Sequence, residues 1–362
     1  MKSKTIKVNY LARVEGEGSL FVKIKNDQVT DVRFKIFESP RFFEAFLRGR
    51  KYAEAPDITA RICGICPIAY SMSASHAMEN IFDLKVDGQV RALRRLIYCG
   101  EWIQSHVLHI YMLHAPDFLG YESVVHMAPD FSRVVERALR MKKIGNKIME
   151  TVGGRAVHPI NLRIGGFYKA PSEAELTALT DDLKWGIEAS VETIRLVASF
   201  NFPDFEKEYK FVCMRHPEEY PLNEGRLVSS WGMDIDISEY EKHFEEIHVE
   251  HSNALHSVHK KMGAYFVGPL ARFNLNYDQL TPLCKEICEE VGFHPVCNNP
   301  FKSIIARAVE TLYAYEEAVK IIEHFPEPET SVLPYKVKAG TGYGCTEAPR
   351  GICWHTYRVD ND

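Results

Sequence analysis

One apolar stretch at helical spacing, residues 65–113, constrains the fold of this 362-residue chain more than any other feature. It is interrupted only near Asp87–Gly88, and its second half, from Val90 to Leu113, predicts one long helix. Helices of this length bury their apolar faces by packing on one another. The stretch therefore predicts a helical core.

Two more long helices are predicted further along the chain. A capping box of Ser172 and Glu175 opens the first, which is expected to run to about Phe200. The second is expected from about Pro300 to His324. Together with the stretch above they make helix the dominant structure.

Strands are predicted at both ends of the sequence. Residues 1–38 alternate apolar and polar positions, with a turn at Asn26–Asp27, and predict a small antiparallel sheet. Residues 340–351 are rich in glycine, and the strand predicted from Ile352 to Val359 is expected to pair with a strand that follows it. The fold class is α+β, predominantly helical, a long-helix core with small antiparallel sheets.

We predict a single large domain over residues 1–362. Within it, 1–38 form the N-terminal sheet, 40–202 the helical core, and 203–362 a mixed α/β part.

Composition excludes several classes of function. The net charge of −5 argues against a nucleic-acid partner, and no apolar run reaches the roughly 20 residues that a membrane span needs. The N-terminus shows neither an apolar signal region nor a twin-arginine pair, so no signal peptide is predicted. Nine cysteines, an odd number scattered through a large chain, indicate thiols or metal ligands in a reducing compartment. We expect the cytoplasm.

The strongest local signal is the segment Arg61-Ile62-Cys63-Gly64-Ile65-Cys66-Pro67. Two thiolates three positions apart, entering a helix N-terminus, can bind one soft metal centre. A structural zinc site would need two more ligands at matching spacing, and no second Cys-x-x-Cys occurs. A redox-active pair of the thioredoxin type would need a preceding parallel strand, which the pattern does not indicate. A soft-metal catalytic site needs further ligands from elsewhere.

Seven segments in order give the chain a family resemblance that covers essentially its whole length. They are ARVEGEG at 12–18, RFFEAFLRGR at 41–50, RICGICPIAYSMSASHAME at 61–79, SHVLHIYMLHAPDF at 105–118, GGRAVHPINLRIGG at 153–166, VGPLARFN at 267–274 and CTEAPRG at 345–351. Together they resemble the large subunit of nickel–iron hydrogenases. The best match is the cytoplasmic, bidirectional group linked to NAD(P) or sulfur. The family usually has His where Tyr70 stands, and Tyr suits the sulfhydrogenase-like branch.

The resemblance implies metal ligands at three positions. Cys63 would be a terminal thiolate of nickel, and Cys66 would bridge nickel to an iron that carries CO and two cyanides. Glu44 matches a ligand of a buried magnesium, in keeping with the preference of that ion for oxygen. From the residues alone, Glu44 could equally be a helix-surface carboxylate facing Arg48.

The resemblance also implies residues that act on protons and shape the pocket. Glu15 matches a carboxylate that passes protons away from a cysteine sulfur. Arg350 matches a guanidinium held over the metals, Asp117 a carboxylate that orients it, and Pro349 a residue of the pocket. Without the resemblance, Glu15 reads as an exposed strand-end residue, Asp117 as a turn residue, and Pro349–Arg350 as part of an ordinary exposed turn.

Other histidines and cysteines are predicted to be structural. The histidines of the helical motifs are expected to make satisfied hydrogen bonds, namely His76, His106, His109, His114 and His158. The cysteines outside the motif are expected to pack as small apolar residues, namely Cys284, Cys288, Cys297, Cys345 and Cys353.

The family also has a second motif, Cys-x-x-Cys-x-x-His, which does not occur in these 362 residues. The domain is therefore expected to be C-terminally incomplete, its ligand set unfinished, and the chain alone inactive. A disordered or removed segment, a truncated product, and a separate polypeptide are the three explanations, of which the first two are favoured.

The predicted activity is reversible oxidation of H2 to protons and electrons. The resemblance implies an iron–sulfur small subunit, further diaphorase-type electron-transfer subunits, and nickel-insertion chaperones during maturation. Two alternatives stay open. One is a metal-free structural or coupling subunit similar to a subunit of respiratory complex I, and the other is a maturation intermediate bound by a nickel chaperone.

Overall fold

A computed structural model describes residues 3–14, 16–326 and 330–360 of the chain. Two compact units divide it: residues 1–45 with 239–265, and residues 46–238 with 266–362. The predicted boundary at residue 203 stays a prediction. No helix in the described parts of the chain has both the length and the apolar character needed to cross a membrane.

Helices make up most of the larger unit. The α-helices of the described residues are α1 Phe43–Leu47, α2 Ala55–Thr59, α3 Pro67–Ile81, α4 Gly88–Leu108, α5 Ala115–Leu119, α6 Val124–Met127, α7 Ser132–Gly153, α8 Glu173–Thr177, α9 Thr180–Ala198, α10 Tyr240–His243, α11 Pro269–Asn276, α12 Pro282–Glu290 and α13 Ser303–Glu323.

The strands form small sheets, all paired antiparallel. They are β1 Ser3–Val8, β2 Gly18–Lys25, β3 Gln28–Ile36, β4 Leu162–Arg163, β5 Gly166–Phe167, β6 Val212–Arg215, β7 Arg226–Ser229, β8 Asp234–Ile235, β9 Phe244–Ile247, β10 His256–His259, β11 Gly340–Ala348 and β12 Gly351–Val359. The predicted fold class, helical with small antiparallel sheets, is confirmed.

The smaller unit contains the predicted N-terminal sheet, in the order β1-β2-β3. Its turn lies where the sequence placed it, since Asn26 and Asp27 have φ of 52° and 60° between β2 and β3. A two-residue turn in this left-handed conformation matches the twist of a hairpin. The hairpin β9–β10 belongs to the same unit.

Helix α4 is the centre of the larger unit, packing on α7 and on α13, while α9 packs on α13 and on α7. The α4–α7 contact is unusually close because both helices present glycine. A Cβ on Gly100 would lie 2.9 Å from Ile148 Cβ, and one on Gly145 would lie 2.7 Å from Gln104 N. Backbones that meet at this distance leave no room for a larger residue.

The long helix predicted from Val90 to Leu113 is confirmed, but its last residues are π-helical instead of α-helical. Helix α4 ends at Leu108, and the chain continues as a π-helical turn, His109–His114, directly into α5. Such wide turns inside helices are frequent at functional sites.

One prediction at this level was wrong. The capping box is present, with Ser172 Oγ accepting from Glu175 N, but α8 ends at Thr177 and a separate helix α9 follows. The strand from Gly351 pairs with the glycine-rich segment before it as the hairpin β11–β12, and its pairing with a following strand stays a prediction. Glycine is required there since β11 lies against α3: a Cβ on Gly344 would be 2.0 Å from Ser73 O.

Candidate metal centre

The two cysteines of the motif lie in the turn that opens α3. Cys63 has an extended backbone conformation and follows a single 3-10 turn. Cys66 directly precedes Pro67, the first residue of the helix. The backbone N–H groups of Ile65 and Cys66 both point at Cys63 Sγ, with N–S distances of 3.4 Å. N–H groups and a helix N-terminus favour a thiolate over a thiol. The predicted placement of the pair at a helix N-terminus is confirmed.

A buried carboxylate that sequence analysis missed holds the same helix end. Glu101 on α4 accepts the N–H of Ile68 at 2.6 Å and of Ala69 at 3.1 Å. Burial raises the pKa of Glu101 well above its ordinary value, although these two donors oppose the shift. Its spacing within α4 carried no signal, because a Glu in the apolar stretch looks like a surface residue until the packing is known.

Gln104, one helical turn after Glu101, holds the loop between the cysteines. Its amide donates to Ile65 O, and its Oε1 accepts from Lys142 Nζ on α7 at 3.5 Å. Burial lowers the pKa of Lys142. Helices α4 and α7 therefore both position the cysteine loop.

Arg350 is brought to the same face of α4. The turn Pro349–Arg350 joins β11 to β12, and Arg350 Nη1 donates to Ser105 Oγ at 2.9 Å. Ser105 is four residues after Glu101 on α4, and Glu101 interacts electrostatically with both Cys63 and Arg350. Two motifs almost 290 residues apart in sequence thus meet across one helix.

The backbone of this turn is clamped by a buried arginine. Arg272 on α11 donates from Nη1 to Ala348 O and from Nη2 to Pro349 O, both at 3.0 Å. A Cβ on Gly268, at φ 91°, would lie 2.6 Å from Arg350 O, so only glycine lets α11 approach. The interpretation of this segment as an ordinary exposed turn is wrong.

Two buried carboxylates complete the coordination of Arg272. Glu310 on α13 accepts from Nε at 2.7 Å and from Nη2 at 2.8 Å, and Glu347 accepts from Nη1 at 2.8 Å. Burial raises the pKa of Glu310, but Arg272 outweighs burial and lowers it to about 2. Burial dominates for Glu347 and raises its pKa to about 7. One guanidinium shared by two carboxylates leaves the second less stabilised as an anion.

The remaining predicted residues are not tested by contacts in the structure. Asp117 lies in the first turn of α5 and is exposed, and its pairing with Arg350 stays a prediction. Glu44 is an exposed residue of α1. Glu15 lies outside the described residues. Of the predicted set, the structure places Cys63 and Arg350 within electrostatic reach of one buried carboxyl group, Glu101.

The cysteines expected to pack behave as predicted in most positions. Cys284, Cys288 and Cys345 are buried thiols. Cys353 is a half-buried thiol whose Sγ lies 3.6 Å from His355 Nε2. Burial raises the pKa of Cys353 to about 12, with a smaller contribution from Cys63. Cys353 is therefore a protonated neighbour of the cysteine motif.

Comparison with known proteins gives this site a family. The model of the nickel-dependent hydrogenase family matches residues 41–136. The alpha subunit of sulfhydrogenase 1 from Pyrococcus furiosus is 33% identical over 98% of this chain and 84% of its own length. The beta subunit of the NAD-reducing hydrogenase HoxS from Cupriavidus necator is 26% identical over 99% of this chain and 81% of its own length.

Solved structures agree. An NAD+-reducing [NiFe]-hydrogenase in the H2-reduced state superimposes with a TM-score of 0.89 at 25% identity, covering 99% of this chain and 86% of that one. The Ni-Fe-Se hydrogenase of D. vulgaris Hildenborough shares the fold, with a TM-score of 0.79 at 23% identity over 99% and 87%.

The chain belongs to the nickel-dependent hydrogenase family. It is a large, catalytic subunit of an oxidoreductase that acts on H2. The predictions of family and enzyme class are confirmed.

Proposed function

We propose that Cys63 and Cys66 are ligands of a nickel–iron centre, Cys63 on nickel and Cys66 between nickel and an iron that carries CO and two cyanides. The chemistry of the donors supports this, because soft thiolates suit both metals. The two N–H groups directed at Cys63 Sγ favour its ionised form. The described residues contain no group of three or more His, Cys, Asp or Glu that could hold a metal ion. We therefore assign only two ligands of the nickel–iron centre to the described residues, the thiolates of Cys63 and Cys66.

When bound, the centre would supply the redox-active site at which H2 is converted to two protons and two electrons. The part of this chain is to hold charges in place around it. Arg350 presents a guanidinium, and the clamp by Arg272 fixes the backbone from which it extends. A fixed cation lowers the cost of charge separation without reorganising at the moment of reaction.

Four further roles belong to the same proposal. Glu15 relays protons outward, Asp117 orients Arg350, Pro349 shapes the pocket, and Glu44 binds magnesium. The support is the position of each residue in its motif.

The proposed complex contains an iron–sulfur small subunit and diaphorase-type subunits, assembled in the cytoplasm with the help of nickel-insertion chaperones. The support is that relatives are named as subunits of hydrogenases, one of them NAD-reducing.

Metal analysis tests the ligand assignment. The chain should be produced with its partner subunits and maturation proteins, and its nickel and iron content and H2-dependent viologen reduction measured. Cys63→Ser and Cys66→Ser should each lose nickel and nearly all activity, because a serine oxygen is a poor ligand for these soft metals.

Cys297→Ser is the matched control. This half-buried thiol contacts Asn299 O at 3.7 Å, outside the site, and its variant should keep metal and activity. Zinc alone in the wild-type complex, or full nickel in both motif variants, contradicts the assignment.

A further inference from the structure

Arg307 is a half-buried cation that the proposed function does not use. It lies on α13, and its Nη1 donates to Ser303 Oγ at 2.9 Å. Within the described residues no carboxylate lies at ion-pair distance from it. Burial, followed by repulsion from Arg350, lowers its pKa to about 9, so the guanidinium is still charged at neutral pH. A cation that is partly removed from water and makes no ion pair is unfavourable, and it calls for a partner.

Glu310 acts on Arg307 by raising its pKa, but it is already engaged by other groups. Glu310, one turn along α13, is held through both oxygens by Arg272, at 2.7 and 2.8 Å. Its Oε2 also lies 2.9 Å from His106 Nε2. The negative charge of Glu310 is thereby already shared with Arg272 and His106.

Two histidines beside Arg307 have unused hydrogen-bonding atoms. The rings of His109 and His114 stack edge to face with 4.2 Å between centroids, at the two ends of the π-helical turn. Nδ1 of each is buried and has no hydrogen-bond partner. The prediction that these histidines make satisfied hydrogen bonds is wrong at these two atoms. Burial lowers the pKa of both, to about 4 for His114, so both are neutral.

The helix pairing places the histidines next to the arginine. His106 contacts Glu310, so a step of three residues forward, from α4 into the π-helical turn, and three residues back on α13 sets His109 at the level of Arg307. The π-helical turn packs directly on α13. Consistent with this, Arg307 depresses the pKa of both histidines.

We propose that Arg307, His109 and His114 form a binding site for one small carboxylate. The guanidinium offers two parallel N–H groups that match two carboxylate oxygens, and a neutral imidazole can carry its proton on Nδ1 and donate it. The site provides one full positive charge of its own, which favours a monoanion, since the dehydration of a dianion would exceed what one guanidinium recovers. The proposal goes beyond the metal centre and does not depend on it.

A carboxylate can reach this site as a free molecule or as a side chain of another polypeptide segment. Formate is a suitable probe of the shared chemistry. Thermal unfolding of the purified full chain should be followed while chloride is replaced by formate at constant ionic strength. We expect a saturable rise of the melting temperature for the wild-type chain and none for Arg307→Gln.

The stability of the variant itself gives a second, independent result. Without formate, Arg307→Gln should raise the melting temperature, by about 2 °C, because it removes an uncompensated cation. Arg95→Gln is the matched control on the same helix interface. Arg95 is more fully buried and its Nε contacts Glu317 Oε1 at 2.6 Å, so its loss should lower the melting temperature.

The same titration on the complex with the partner subunits separates the two sources. If the complex no longer responds to formate, the site is filled by a carboxylate side chain of a polypeptide. If the complex still responds, the site is open to a free carboxylate. The proposal is overturned if Arg307→Gln destabilises the chain as Arg95→Gln does. It is also overturned if sulfate and formate shift the wild-type chain equally, or if formate shifts neither the chain nor the complex.

Discussion

Arg350 Nη1 lies 2.9 Å from Ser105 Oγ, and this contact joins the turn of a C-terminal hairpin to the central helix α4. The same helix carries Glu101, which accepts two N–H groups from the start of α3. The cysteine loop and the guanidinium of Arg350 are thus both held by hydrogen bonds to the same rigid helix, α4. A site built from loops on a common helix keeps its geometry better than loops alone.

The first prediction concerns this contact. Ser105→Ala removes one acceptor from Arg350 and leaves the helix intact, since alanine is a good helix former. A hydrogen bond to a charged group contributes about 1.5–3 kcal/mol, so H2-dependent viologen reduction should fall roughly tenfold or more. Nickel and iron content should not change. Ser199→Ala, at the exposed end of α9, is the control and should keep full activity. Unchanged turnover in Ser105→Ala would show that other contacts hold Arg350.

The second prediction concerns Arg272. Arg272→Met leaves Glu310 and Glu347 buried without their shared cation, and removal of one partner from such a group costs about 3–5 kcal/mol. Equilibrium unfolding in urea measures the loss.

The control for this experiment is Arg195→Met. Arg195 makes a two-pronged contact with Glu290 at 2.6 and 2.8 Å, but both side chains are exposed. Exposed pairs contribute little, so the unfolding midpoint should stay close to that of the wild type. Equal losses in the two variants would contradict the role assigned to the buried network.

Arg272 also shows where sequence reasoning reached its limit. The segment VGPLARFN was recognisable as a motif, yet nothing in it says that Arg272 is fully buried or that its partners come from α13 and β11. Long-range ion pairs depend on how helices pack, which local patterns do not encode. Glu101 and Gln104 were missed for the same reason.

Local features were predictable because they depend on neighbouring residues. The turn at Asn26–Asp27, the capping box at Ser172 and the cysteine turn at the start of α3 all formed as expected. The strand β11 was missed because its glycines suggested a loop, whereas they serve the close packing on α3.

The third prediction concerns pH. The folded state raises the pKa of Glu347 to about 7 from its ordinary value of 4.5, chiefly by burial. Between these two values the folded chain holds a proton that the unfolded chain has released, so stability falls as pH rises through this window. The slope from this group is at most about 1.4 kcal/mol per pH unit.

Glu347→Gln should remove this part of the slope, because the amide keeps an acceptor for Met214 N but does not titrate. Urea unfolding at pH 5, 6 and 7 measures it. Glu173→Gln, at an exposed position of α8, should leave the slope as in the wild type. A Glu347→Gln chain whose stability still falls by the wild-type amount over this range would contradict the assignment.

The last prediction concerns the packing of β11 on α3. A methyl group on Gly344 would lie 2.0 Å from Ser73 O and 2.8 Å from Ala77 N, both backbone atoms of a helix that cannot yield locally. Gly344→Ala should therefore force strand and helix apart and lower the free energy of unfolding by at least about 3 kcal/mol, at the upper end of overpacking effects.

Because α3 begins directly after Cys66, the displacement should also reduce the nickel content of the complex. Gly340→Ala, on the same strand, meets only the methyl group of Ile81 at 3.3 Å and should change both quantities little. Urea unfolding and metal analysis of the two variants, side by side, measure the difference, and equal stability in both would show that β11 does not press on α3 as described.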